Sequence, residues 1–243
     1  MTASASTHHR SSKFHLSRLQ IVVHIASWLP AIWLLWGYFT SNLSIDPTQY
    51  IERFSGQVAM ILLICSLACT PLNTIFQFRQ AVKLRRPLGL YAFFYSAIHF
   101  LVYSGLDYLF DFDLLQMETL TKAYLLVGLI ALIALLPLAA TSFKSSMKKL
   151  GKNWKRLHFI VYPVVLLVIL HYSLAKKGSL FSLSGEQLEP FLFGLLVVFL
   201  LTLRIPFVLK LIIKFRDYLA GLFTQPPAAA LKANHPKSFQ QRN

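Results

Sequence analysis

Three histidines, His99, His158 and His171, stand inside otherwise apolar runs of a chain that has nine acidic residues and places none of them as an obvious partner nearby. An imidazole in hydrocarbon is costly unless it is bonded, and an ionisable side chain in a membrane span marks a functional site whose partner has to be named. The three lie on just two hydrophobic segments, so the partner to name first is a haem iron held between those two helices. The alternative for each is a hydrogen bond to a backbone carbonyl or a tyrosine in a packed bundle, the usual condition of a lone buried histidine.

The elements that would position them are membrane spans. Hydrophobic residues make up 56% of the 243, mean hydropathy is +0.56, and the apolar positions gather in runs of about twenty, the length that crosses a bilayer core. The fold class expected is an all-α integral membrane protein, a six-transmembrane-helix bundle with spans at 19–39, 57–75, 88–109, 123–142, 155–175 and 190–212. Residues 1–18 read as an N-terminal tail, 19–212 as the transmembrane domain and 213–243 as a basic C-terminal tail. Pro30, Pro137, Pro163 and Pro206 are tolerable inside spans because neighbouring helices can satisfy the freed backbone groups. No short apolar region with a small-residue cleavage site precedes a span, so the first span is expected to act as its own insertion signal.

A net charge of +15 raises the question of nucleic acid, and its distribution answers it. Three Lys and Arg precede span one, four lie between spans two and three, six between four and five, and seven from Arg204 onward, twenty on one side. The other side holds Arg53, Lys122, Lys176 and Lys177 with eight of the nine acids: Asp46, Glu52, Asp107, Asp111, Asp113, Glu118, Glu186 and Glu189. Lys and Arg concentrate in cytoplasmic loops, so both termini are expected in the cytoplasm. The runs Lys83-Leu84-Arg85-Arg86 and Lys148-Lys149 are then topology signals that can also touch anionic membrane lipid, and nucleic-acid binding is set aside. Cys65 and Cys69, one turn apart in the second span, read as packing residues, since a metal site needs more ligands than this pair. The polar stretch 1–13 and the Pro, Ala and Lys-rich stretch 224–243 read as disordered tails, which leaves His8, His9 and His235 without a claim.

Depth says which histidines can share an iron. With Arg86 and Arg156 at the inner interface, His99 lies thirteen residues inward on span three and His171 fifteen on span five. At 1.5 Å per residue the depths differ by about 3 Å, so the imidazoles can face each other at one level near the outer leaflet. His158 is two residues past Arg156, about 20 Å below His171 on the same helix, and cannot ligate the same iron. It is left as a ligand of a second haem or as a contact for a flavin or quinone, with His24 of span one a possible partner. Bis-histidine ligation closes both axial positions, which suits outer-sphere electron transfer.

The residues also carry a resemblance. Arg85-Arg86-Pro87-Leu88-Gly89-Leu90-Tyr91-Ala92-Phe93-Phe94-Tyr95 followed by His99 and Tyr103, and Leu150-Gly151-Lys152-Asn153-Trp154-Lys155-Arg156-Leu157-His158 running to His171-Tyr172, resemble the MsrQ family, formerly YedZ. Supporting matches are His24 to Trp36, Asp46-Pro47 leading to Phe54-Ser55-Gly56, Thr70-Pro71-Leu72 and Thr141-Ser142, over about residues 20 to 210. Pro87 after the arginine pair, and Lys122-Ala123 where Arg-Pro is expected, depart from the pattern at helix entrances.

This family belongs with the ferric-reductase-like transmembrane domains. The resemblance implies b-type haem at His99, His158 and His171, and flavin mononucleotide (FMN) as a further cofactor. It implies a non-catalytic electron-transfer subunit in the bacterial inner membrane, serving MsrP, a periplasmic molybdopterin methionine sulfoxide reductase that repairs oxidised proteins. Related ferric reductases append flavin and nicotinamide domains after the last span. About thirty residues follow it here, and no G-x-G-x-x-G stands between a strand and a helix. The donor expected is therefore the quinone pool or a separate cytoplasmic flavin reductase. The acidic loop from Asp107 to Glu118 is a candidate docking surface on the other side. Two alternatives stand beside this reading: a ferric or quinone reductase component with another acceptor, and a small histidine-lined transporter or assembly factor.

Overall fold

The computed structural model describes residues 17–176 and 187–224; the tail up to residue 16, Lys177, Glu186 and the tail from residue 225 lie outside them. Ten α-helices follow in order: α1 (Arg18–Phe39), α2 (Pro47–Phe76), α3 (Arg79–Val102), α4 (Phe112–Thr121), α5 (Ala123–Ala140), α6 (Lys144–Leu150), α7 (Lys152–His158), α8 (Val161–Ala175), α9 (Leu188–Thr202) and α10 (Pro206–Thr224). A π turn, Tyr103–Asp107, extends α3, and no strand occurs among the described residues. Local chemistry sets the ends. Ser17 and Gln20 form a reciprocal capping box on α1. Asp46 caps α2 ahead of Pro47 in the first helical position. Gln77 takes a left-handed φ of 56°, which turns the chain back so that α3 packs along α2.

Five helical segments, Arg18–Phe39, Pro47–Phe76, Arg79–Asp107, Ala123–Ala140 and Lys152–Ala175, are long and apolar enough to cross a membrane, and the pair α9–α10 passes the same test only when its two bent helices are taken together as one span. The protein is a multi-pass membrane bundle. Of the prolines expected inside spans, Pro206 begins a helix, and Pro163 stands in the first turn of α8, still within the fifth segment. The fifth segment breaks at Phe159 and Ile160, where Pro163 has no N–H to offer the Phe159 carbonyl. The sixth does not run straight over 190–212: α9 ends at Thr202 and α10 leaves it at 81°. Ile205, as the residue before a proline, is biased away from helical ψ.

The core lies where α2, α3, α5, α8 and α9 meet, at Met60, Leu63, Ile64, Leu67, Ala92, Leu135, Val164, Val165 and Val197. Most large apolar side chains of α1 and α9 are exposed, which puts them against lipid. In hydrocarbon, apolar contact alone drives little association, so interhelical hydrogen bonds carry weight. Tyr95 supplies two: its hydroxyl donates to the Ser27 carbonyl at 2.7 Å and accepts from the Ala31 N–H at 3.0 Å. It is thus inserted into the α1 ladder beside Pro30, at a point where one turn would otherwise close on itself. Arg204 supplies another, donating to the Leu67 carbonyl, which Pro71 has deprived of its helical partner. Cys69 is buried beside Ala81, Leu84 and Leu88, whereas Cys65 is exposed on the lipid side of the same helix.

Candidate functional site

His99 of α3 and His171 of α8 face each other, with ring centres 6.1 Å apart and planes at 78°. The His99 Nδ1–H donates to the Glu52 carbonyl at 2.9 Å, and the His171 Nδ1–H donates to the Tyr124 carbonyl at 2.7 Å. A carbonyl only accepts, so the proton sits on Nδ1 in both rings and the lone pair on Nε2 remains for a ligand. The depth matching expected from the sequence is therefore realised in the packed bundle.

The two half-sites repeat one pattern. Glu52, Gly56 and His99 correspond to Tyr124, Gly128 and His171, each 72 positions later. Between them, Gly56-x-x-Ala59-Met60-x-x-Leu63 corresponds to Gly128-x-x-Ala131-Leu132-x-x-Leu135 at the same offset. The glycines have a local purpose. A Cβ on Gly56 would lie 3.1 Å from His99 Nδ1, and one on Gly128 would lie 2.7 Å from Nδ1 and Cε1 of His171. Each ring lies against the bare backbone of the neighbouring helix, which brings its Nδ1 to the carbonyl one turn earlier. The sequence points to Gly56 only through the Phe54-Ser55-Gly56 resemblance and not to Gly128, although the repeated Gly-x-x-Ala spacing marks both.

The histidines open into a cavity of about 440 Å³. Its walls are Ala59, Met60, Leu63, Ala131, Leu132, Leu135 and Val168, and two cations line it as well, Arg53 beside Glu52 on α2 and Lys176 at the end of α8. Lys176 lies 3.7 Å from Glu189 and 5.6 Å from the centre of the Tyr172 ring, and Gln57 donates to both Glu189 and the Tyr172 hydroxyl at 3.3 Å. No group of three or more His, Cys, Asp or Glu able to hold a bare metal ion occurs among the described residues. The donor set suits instead an iron whose remaining positions come from a flat organic ligand. Metal–imidazole bonds of about 2 Å to both Nε2 atoms hold two ring centres about 6 Å apart, close to what is seen. An apolar slot lined also by two cations fits a porphyrin with propionates.

His158 is not part of this cavity. It ends α7, stacks on Trp154 with ring centres 4.0 Å apart, and its Nδ1–H donates to the Trp154 carbonyl at 3.1 Å. Trp154 in turn donates to the Thr141 carbonyl at 3.0 Å, tying α7 to the end of α5. The residue 72 positions before His158 is Arg86, so the repeat gives it no histidine counterpart. His24 bonds the Tyr91 hydroxyl at 2.9 Å. Arg85 and Arg86 of α3 and Lys155 and Arg156 of α7 do not line the cavity. Lys122, one of the departures from the family pattern, pairs with Glu118 at the α4–α5 junction, and that pairing raises its pKa.

Residues 55–169 match the family model described as a ferric reductase like transmembrane component, a stretch that includes His99 and His158 and stops two residues before His171. A curated Pectobacterium atrosepticum protein named protein-methionine-sulfoxide reductase heme-binding subunit MsrQ is 36% identical over 194 residues, 78% of this chain and 92% of its own length. Proteins of the same name from Rhodospirillum rubrum and Herminiimonas arsenicoxydans are each 35% identical, over 76% and 78% of this chain and 86% and 85% of their own lengths. No solved structure matches significantly.

Proposed function

The chain belongs to the MsrQ family, and from that premise we propose that it is a haem b electron-transfer subunit in which His99 and His171 would hold the iron. The observation that supports this most is the 6.1 Å separation of two imidazoles whose Nδ1 atoms are both held by carbonyls. When bound, a bis-histidine haem supplies one-electron transfer without an open coordination site. The protein's part is placement. The Glu52 and Tyr124 carbonyls fix the tautomers and aim the rings, Gly56 and Gly128 admit them, and the walls from Ala59 to Leu135 keep water out. Arg53 and Lys176 are the residues that would hold propionates.

The charge asymmetry supports a bacterial inner-membrane topology with both termini cytoplasmic, the haem nearer the periplasm and His158 on the cytoplasmic side. Electrons then arrive from the quinone pool or a cytoplasmic flavin reductase at the His158 end. They leave for the periplasmic molybdopterin methionine sulfoxide reductase, a partner that the relatives' printed names support. The FMN implied by the resemblance belongs to the donor side. Docking of the acceptor is assigned to the α4 region, since Thr119 of that helix lines the cavity. Mixing reduced, desalted protein with the periplasmic reductase and a methionine sulfoxide tests the acceptor. Haem reoxidation that needs both components is expected, and its absence would favour a component serving another acceptor.

A further inference from the structure

The bundle treats the faces of α10 differently. Ile212 packs against the core, and Arg216 donates to the Ile75 carbonyl at 3.0 Å, so one face is fastened to the end of α2. Another face exposes Phe207, Leu211, Phe215 and Tyr218 at 76%, 60%, 61% and 64%. Positions i, i+4, i+8 and i+11 form one stripe on a 3.6-residue helix, with exposed Lys210 and Lys214 along its border. The 81° bend after α9 turns this helix out of the crossing direction and towards the membrane plane. On α9, Leu195, Val198 and Phe199 are exposed as well.

An apolar stripe bordered by lysines on a helix lying along the bilayer is the form of an interfacial anchor. Charge identifies what it meets. Among the described residues, the segments grouped with α10 by charge carry fifteen Lys and Arg against one acid, Asp217, and that acid is already paired with Arg216. A second copy of this face would bring like charges together, whereas anionic phospholipid would neutralise them. We infer that α10 is a lipid-reading anchor, with Phe207, Leu211, Phe215 and Tyr218 in the acyl boundary and Lys210 and Lys214 on anionic headgroups. This holds whatever cofactor the cavity takes.

Spin labels on the full-length protein in phosphatidylcholine–phosphatidylglycerol vesicles test it, using Phe215→Cys and Asp217→Cys in a Cys65→Ala, Cys69→Ala background. The label at 215 should be relaxed by oxygen and shielded from an aqueous nickel complex, and the label at 217 should show the reverse. Equal nickel access at both positions would overturn the anchor. So would shielding of 215 from both reagents with spin–spin broadening, which would mean a second copy. Exchanging Lys210→Gln and Lys214→Gln together should lower the preference for spin-labelled phosphatidylglycerol over phosphatidylcholine, by about fivefold per lysine. An unchanged preference would contradict the headgroup contacts.

Discussion

His99 and His171 are each held by the carbonyl 47 residues earlier in the chain, and their rings meet 6.1 Å apart across one cavity. The equal spacing reflects a 72-residue repeat in which α2 with α3, and α5 with α8, present the same glycine and the same histidine to a common centre. The two histidines are thus placed alike, and their replacement should have similar effects.

Replacing His99→Ala or His171→Ala should each abolish the low-spin six-coordinate signal in electron paramagnetic resonance, to a similar degree. Retention of that signal in both variants would show that the ligands lie elsewhere.

Gly128→Ala should lower the haem-to-protein ratio more than Gly56→Ala, because the added methyl stands 2.7 Å from the His171 ring against 3.1 Å from His99. Overpacking of this kind costs about 1–3 kcal/mol. Gly194→Ala, where the nearest atom is Ile169 Cγ2 at 3.4 Å, is the control and should leave the ratio unchanged. Equal losses in all three would count against the glycine cradle.

How far the sequence could be read depended on which quantity was local. Helical rise is a property of one helix, so counting from Arg86 and Arg156 placed His99 and His171 at one depth before any packing was known. The glycines and the Glu52 and Tyr124 carbonyls act across helix pairs, and which helices pair is not written in either one. α4 lies where the sequence predicts a loop, because ten residues with mixed apolar and acidic positions show no clear stripe. The α9–α10 bend was hidden for another reason. Apolar residues run through Pro206, and Pro30, Pro71, Pro87 and Pro137 all sit inside unbroken helices. The bend accompanies Arg204, which reaches inward to the Leu67 carbonyl and the Tyr162 hydroxyl instead of continuing the lipid face.

Tyr95→Phe should loosen α1 without touching the haem site. Interhelical hydrogen bonds in membranes average about 0.6 kcal/mol and reach about 1.7, so a small fall in thermal stability is expected with an unchanged haem spectrum. A changed spectrum would mean that α1 contributes to the cavity.

His158→Ala should retain the haem bound by His99 and His171 while slowing its reduction by quinol or by a flavin reductase. Stopped-flow reduction separates the two effects, and a normal rate from both donors would remove His158 from the electron path.

The most direct measurement is the absorption spectrum of detergent-purified protein from haem-replete cells, taken before and after dithionite. A bis-histidine site predicts a sharp reduced α-band of six-coordinate b haem. A colourless preparation would contradict it.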